Sequence, residues 1–119
     1  MHLGWNEPIG TCGRLRDALR ILAEAKGNYQ QRMEMATRAL LPDISYAVPD
    51  RLKNRRDRIL NFRTSVREDY PGGTFFNFRR LKPSERKMIL SDIMALYEAC
   101  LIDIGKGGDD YNYLYPKDV

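Results

Sequence analysis

Histidine is almost absent: the 119 residues include one, His2, and one tryptophan, Trp5. A body without histidine lacks the side chain most used for proton transfer near neutral pH, which is also the commonest metal ligand. A lone terminal histidine with no Cys or His neighbour reads as solvent-exposed. Cysteine is nearly as scarce, with Cys12 and Cys100 alone. Two are too few for a disulfide framework, so a reducing cytosol is the default, with a Cys12 to Cys100 bridge left open. There is no apolar run of about 18 residues, and MHLGWNEPIG has neither the basic start nor the apolar stretch of a signal peptide. These absences lead to the expectation of a cytoplasmic protein without a membrane segment.

The motifs of catalysis are missing too. The chain has no G-x-S-x-G, no H-E-x-x-H and no phosphate-binding glycine loop. Carboxylate pairs fare no better, because Glu24 and Glu34, or Asp92 and Glu98, do not share a helix face. Asp103, Asp109 and Asp110 surround Gly107 and Gly108 without the alternating acids and closing glutamate of a calcium loop. No enzyme is expected, and no catalytic, cofactor-binding or metal-binding residue. There is no internal repeat and no low-complexity segment.

What the sequence does have is helical periodicity. A chain of 119 residues fits one domain, which buries about two-thirds of the surface its unfolded form exposes. The strongest stretch is LKPSERKMILSDIMALYEACLIDIG, from Leu81 to Gly105. At about 100° per residue, Ile89, Ile93, Leu96, Tyr97, Cys100 and Ile104 share a side, which Leu90, Met94 and Leu101 widen to an arc of roughly 160°. A helix so apolar needs more than one neighbour, and Asp92, Glu98 and Ser91 are assigned to the remaining polar face. Pro83 at the first helical position and Glu85 in the first turn mark the start, with Lys82 or Ser84 as the cap. Gly105 marks the stop.

Ahead of it, residues 1–13 read as an irregular, glycine-rich arm that docks Trp5 and Ile9. Over 14–41, Leu15, Ala18, Leu22, Ala25, Tyr29, Met33, Ala36 and Leu40 form one stripe. Gly27 and Asn28 are a helix-stop pair, yet the phase runs through them, which favours one long or kinked helix over two. Pro49 and Asp50 open a second long helix with Leu52, Ile59, Phe62, Val66 and Tyr70 on its apolar side, ended by Pro71, Gly72 and Gly73. Thr74, Phe75, Phe76, Asn77 and Phe78 read as an aromatic loop plugging the bundle, with a short strand or an exposed knob as alternatives. Over 106–119 an acidic, Tyr-rich tail alternates Tyr111, Tyr113 and Tyr115 in an extended pattern. The expected fold is all-α: a single domain, 1–119, built as a small bundle of three long helices, or four if the first breaks at Gly27.

Charge is lopsided within a formal net of +4. Over 51–67 seven basic residues, among them Arg51, Lys53, Arg55, Arg56 and Arg58, face one acid for a local +6. Arg79, Arg80, Lys82, Arg86 and Lys87 against Glu85 add +4, whereas the segment from Glu98 onward nets −3. Arginine forks of this kind suit phosphates, which would make the chain a nucleic-acid-binding regulator or a binder of an acidic partner. The plainer reading is a solvated face paired with carboxylates of the first helix or the tail. Arg56 and Arg63 fall inside the second helix's apolar arc, which points to internal ion pairs with Glu24, Glu34, Asp92, Glu98 or Asp103. Met33 and Met94 read as core, whereas Met35 and Met88 lie off the stripes. With Phe75, Phe76, Tyr111, Tyr113 and Tyr115 they form the expected interface of a protein-binding module that binds a partner or itself. That module is the leading expectation, with nucleic acid second.

Overall fold

The computed structural model describes residues 4–44, 48–70 and 73–106, and for 42, 43, 65–70 and 73–76 the backbone alone. Its helices are α1, Pro8–Glu24; α2, Tyr29–Ile44; α3, Lys53–Leu60, entered through a single 3₁₀ turn, Asp50–Leu52; and α4, Pro83–Lys106. Between α3 and α4 lies an antiparallel hairpin of β1, Arg63–Tyr70, and β2, Gly73–Phe78. The described residues are mostly helical, as an all-α reading requires, and the hairpin is the departure from it.

The stripe over 14–41 is carried by two helices. Asn28 and Gln31 form a capping box: Gln31 N–H donates to Asn28 Oδ1 at 2.9 Å, and Asn28 N–H donates to Gln31 Oε1 at 2.9 Å. Gly27, at φ +112°, supplies the turn before it. Arg32 Nη1 donates to the Leu22 carbonyl at 2.9 Å, satisfying one of the acceptors α1 leaves open at its end. The break spans about one helical turn, so the two stripes stay in phase while the backbone does not continue. The N-terminal helix also starts earlier than expected, at Pro8, so the irregular arm is shorter than residues 1–13. Trp5 in that arm is buried.

The second long helix stops at Leu60. Asn61 N–H reaches the Asp57 carbonyl at 2.9 Å and Phe62 N–H the Ile59 carbonyl at 3.2 Å, after which the chain is extended. Phe62, Val66 and Tyr70 recur every four residues, a spacing that a strand of period two satisfies as well as a helix. The β-branched Thr64 and Val66, and the phenylalanines opposite, settle the matter toward a strand. The register pairs Arg63 with Phe78, Val66 with Phe76 and Arg67 with Phe75, with an irregularity between Arg63 and Ser65. The aromatic segment expected to be a loop is therefore strand β2. Of its rings, Phe78 lies 4.7 Å from that of buried Phe62, tilted by 38°, and the Arg38 guanidinium sits 5.0 Å above it.

α4 is the central helix, packed on both α1 and α3, while α1 also packs on α2. Its Ile89, Ile93, Leu96, Cys100 and Ile104 join Leu15, Ala18, Met33, Ala36, Leu40, Ile59 and Phe62 in one core. At its start, Lys82 N–H donates to Glu85 Oε1 at 3.1 Å, one half of a capping box. The Gln30 amide ties the approach to α4 onto α2: its Oε1 accepts from Leu81 N–H at 3.0 Å and its Nε2 donates to the Arg79 carbonyl at 3.0 Å. Tyr111, Tyr113, Tyr115 and the rest of the tail beyond Lys106 lie outside the described residues.

Candidate binding surfaces on the central helix

Two faces of α4 carry the features that bear on function. The first holds Asp92 and Asp103, which come three turns apart and so share a flank. Sequence reading put Asp92 on the polar side, but its neighbours Ile89, Ile93 and Leu96 are all core, and Asp92 is 1% exposed. A buried carboxylate is stable only with charged or hydrogen-bonded partners, and α3 provides them. Arg58 makes a two-pronged contact, Nε to Oδ2 at 2.8 Å and Nη2 to Oδ1 at 2.7 Å, and Arg55 Nη1 adds a third bond to Oδ1 at 3.1 Å. Those bonds raise the Arg58 pKa above its ordinary value.

Asp103 is satisfied from two directions. Trp5 Nε1 donates to its Oδ2 at 2.9 Å, and Arg51 Nη2 donates to the same oxygen at 2.5 Å. Burial raises the carboxyl's pKa, but the Trp5 indole, the Arg51 guanidinium and the nearby Lys106 charge lower it by more, so the net shift is downward.

This changes the count of charge on the basic segment. Along the 3₁₀ turn and α3, Arg51, Lys53, Arg55, Arg56 and Arg58 meet Asp103, Asp50, Asp92 and Asp57, five cations against four carboxylates. Asp92 and Asp103 of α4 and Asp50 beside the segment thus offset about half of the excess read from the sequence. Arg56 pairs with adjacent Asp57 at 3.0 Å. Arg63 lies in β1, so the helical wheel that put it in an apolar arc does not apply.

The second basic cluster is also tied inward at one member. Arg79 reaches Glu85 Oε2 at 2.5 Å and the Asn61 carbonyl at 3.2 Å, and the Glu85 pKa is lowered first by the Lys82 backbone N–H and then by Arg79. Arg80 and Lys82 are exposed, and Arg86 lies over the Tyr29 ring at 5.6 Å.

The second face is the outer side of α4, diametrically opposite its core side. Met94, expected in the core, is 45% exposed, with Leu101 and Ile102 at the same surface, whereas Met88, also exposed, lies on another flank beside Arg58, Asn61, Arg79 and Glu85. A shallow trough of about 320 Å³ runs along it, lined by Lys87, Leu90, Ser91, Met94, Ala95 and Glu98. Every one of those residues belongs to α4, so the trough is a feature of the helix surface where small Ser91 and Ala95 lie among larger side chains. Met35, the other methionine expected at an interface, is also exposed but lies on α2. Phe75 and Phe76 are placed by backbone in β2.

The two thiols lie inside. Cys12 and Cys100 are free and buried, and the Cys100 Sγ donates to the Pro8 carbonyl at 3.1 Å. Burial raises both, Cys100 to about 12, with the neighbouring Cys12 and Asp103 adding to its rise. Among the described residues no three His, Cys, Asp or Glu side chains group as a metal site would, and no helix is long and apolar enough to cross a membrane.

Comparison with known proteins gives no matching family model, no matching curated protein and no matching solved structure.

Proposed function

We propose that this chain is a non-enzymatic helical binding module that acts in the cytoplasm through protein–protein contacts, self-association included. The observation that carries the reading is the outer face of α4, where Met94, Leu101 and Ile102 are exposed together on the helix whose other side forms the core. Exposed apolar side chains gathered on one rigid element mark interaction surfaces, and methionine adapts to the shape of a partner. Two buried thiols suit a reducing compartment.

Nucleic-acid binding is the second reading. It rests on the arginines of α3, whose side chains stay 39% exposed at Arg55 and 41% at Arg58 while Asp92 holds them in fixed positions, with exposed Arg80 and Lys82 beyond. It ranks lower because the carboxylates of α4 already occupy the forks that phosphates would need.

Sedimentation velocity over a concentration series, run beside anisotropy titrations of labelled DNA and RNA at about 50 mM and about 200 mM salt, separates the two. Concentration-dependent mass without nucleic-acid binding is the expected result. Tight binding at the lower salt that collapses at the higher, with a monomer throughout, would replace it with the second reading.

A further inference from the structure

The trough on α4 is self-complementary. A two-fold interface must present the same patch on both copies, each residue meeting a partner whose own counterpart returns the contact. When α4 is laid antiparallel on a second α4, with the axis passing between Asp92 and Ile93, the six lining residues fall into three reciprocal pairs. Lys87 meets Glu98 at each end, Leu90 meets Met94 along one flank, and Ser91 meets Ala95 along the other. Apolar side chains face each other on one flank, small residues let the helices approach on the other, and opposite charges face each other at both ends. A parallel pairing in register would set Lys87 against Lys87 and Glu98 against Glu98, so charge selects the antiparallel arrangement.

The stripe is continuous along the helix. Lys87, Ser91, Met94, Glu98 and Leu101, at intervals of four, three, four and three, keep one exposed seam on this side of α4. The core side of the same helix is already filled by α1 and α3, so this seam is a second one. It is also long enough, since Lys87 and Leu101 are about 21 Å apart along the axis at 1.5 Å per residue.

We infer that the outer face of α4 is a homodimer interface in which two copies of this chain pair antiparallel through Lys87 and Glu98 around Leu90, Ser91, Met94 and Ala95. The inference rests on the self-association reading above and names its surface, partner and orientation.

Charge exchange tests it. Lys87→Glu and Glu98→Lys each place two like-charged pairs in the dimer, and mixing the two variants restores an opposite-charge pair at both ends. Both side chains are exposed, so circular dichroism serves to check that each variant folds. Sedimentation equilibrium from about 10 µM to about 1 mM spans the range of a modest helix–helix contact. The expected result is a wild-type dimer, a dissociation constant raised about tenfold or more in each single variant, and recovery in the equimolar mixture and in the double variant. A wild-type dimer that both single variants retain unchanged would overturn this interface and leave self-association standing on another surface. Weakened single variants with no recovery on mixing would overturn the antiparallel pairing. A wild-type monomer up to the highest concentration would overturn both the interface and the self-association reading.

Discussion

The Trp5 indole donates to the Asp103 carboxylate at 2.9 Å across 98 positions of sequence, tying the start of the chain to the end of the central helix. Arg51 shares that acceptor, so one buried carboxylate joins the N-terminal arm, the 3₁₀ turn and α4.

Acid should therefore weaken the fold in a defined window. The Asp103 pKa lies below its ordinary value in the folded state, and so does that of Glu85. A lowered carboxyl stabilises the fold above its unfolded value, near pH 4, and that contribution is lost as pH falls toward the folded value. Urea denaturation from about pH 6 down to about pH 2 should show stability falling mainly below about pH 4. Asp103→Asn should flatten that limb, and a slope unchanged by the substitution would show that Asp103 is not linked to folding. Trp5→Phe keeps most of the buried ring but removes the donor, with an expected cost of about 1–3 kcal/mol.

The cluster at Asp92 should respond asymmetrically. Arg55 and Arg58 are about two-fifths exposed and can turn to water, whereas Asp92 is 1% exposed and cannot. Arg55→Ala with Arg58→Ala strands a buried carboxylate and should cost about 3–5 kcal/mol. Asp92→Ala strands only the half-exposed guanidinia and should cost about 1–3 kcal/mol. Adding Asp92→Ala to the arginine double variant should return part of the lost stability. Denaturation midpoints of the four proteins decide it, and a triple variant less stable than the double would refute the ordering.

How much of this was legible follows from which signals were unambiguous. α4 was readable because a long stripe is bounded by Pro83 and by Gly105, which falls one residue short of the helix end. α1 and α2 were read as one because a break of about one turn preserves phase. The signal that separates them is the Asn28 to Gln31 capping box, visible in the sequence as N-Y-Q-Q. The strand β1 was read as helix because Phe62, Val66 and Tyr70 fit both periods; the β-branched residues between them were the deciding cue. On the site, the basic residues and their pairing with carboxylates are legible, but Asp92 as the shared acceptor of Arg55 and Arg58 is not. Asp92 lies three residues from Ile89 and four from Leu96, and Asp103 three from Cys100, so both border the apolar arc, a position that points to burial. Trp5 was expected to dock, but no local pattern names Asp103 as its partner.

The thiols should be inert in the native state. Both are buried with raised pKa values, and the thiolate is the reactive form. A thiol-specific chromogenic reagent at about pH 8 should titrate no cysteine in the folded protein and both in denaturant. The same shift predicts alkaline weakening. A thiol raised from 9.0 to about 12 contributes stability that is whole below the unfolded value and lost as pH climbs through that interval. Cys100→Ala should reduce the alkaline slope, and rapid native labelling at Cys100 would contradict the burial.

Gly27→Ala distinguishes a broken helix from a continuous one by the sign of its effect. Inside a continuous helix, alanine in place of glycine stabilises by about 1 kcal/mol. Gly27 instead has φ +112°, where a side chain is strained, and a Cβ there would lie 2.7 Å from Gln31 Oε1. That oxygen accepts the Asn28 N–H, so relieving the clash disturbs the capping box that starts α2. Destabilisation of about 1–2 kcal/mol or more is expected. Asn28→Ala removes the other half of the box without touching Gly27 and should cost about 1 kcal/mol. Combined, the two should cost less than their sum, because both act on one structure. A stabilised Gly27→Ala protein would mean that α1 runs on into α2, and the measurement needs only a urea melt of three variants beside the parent.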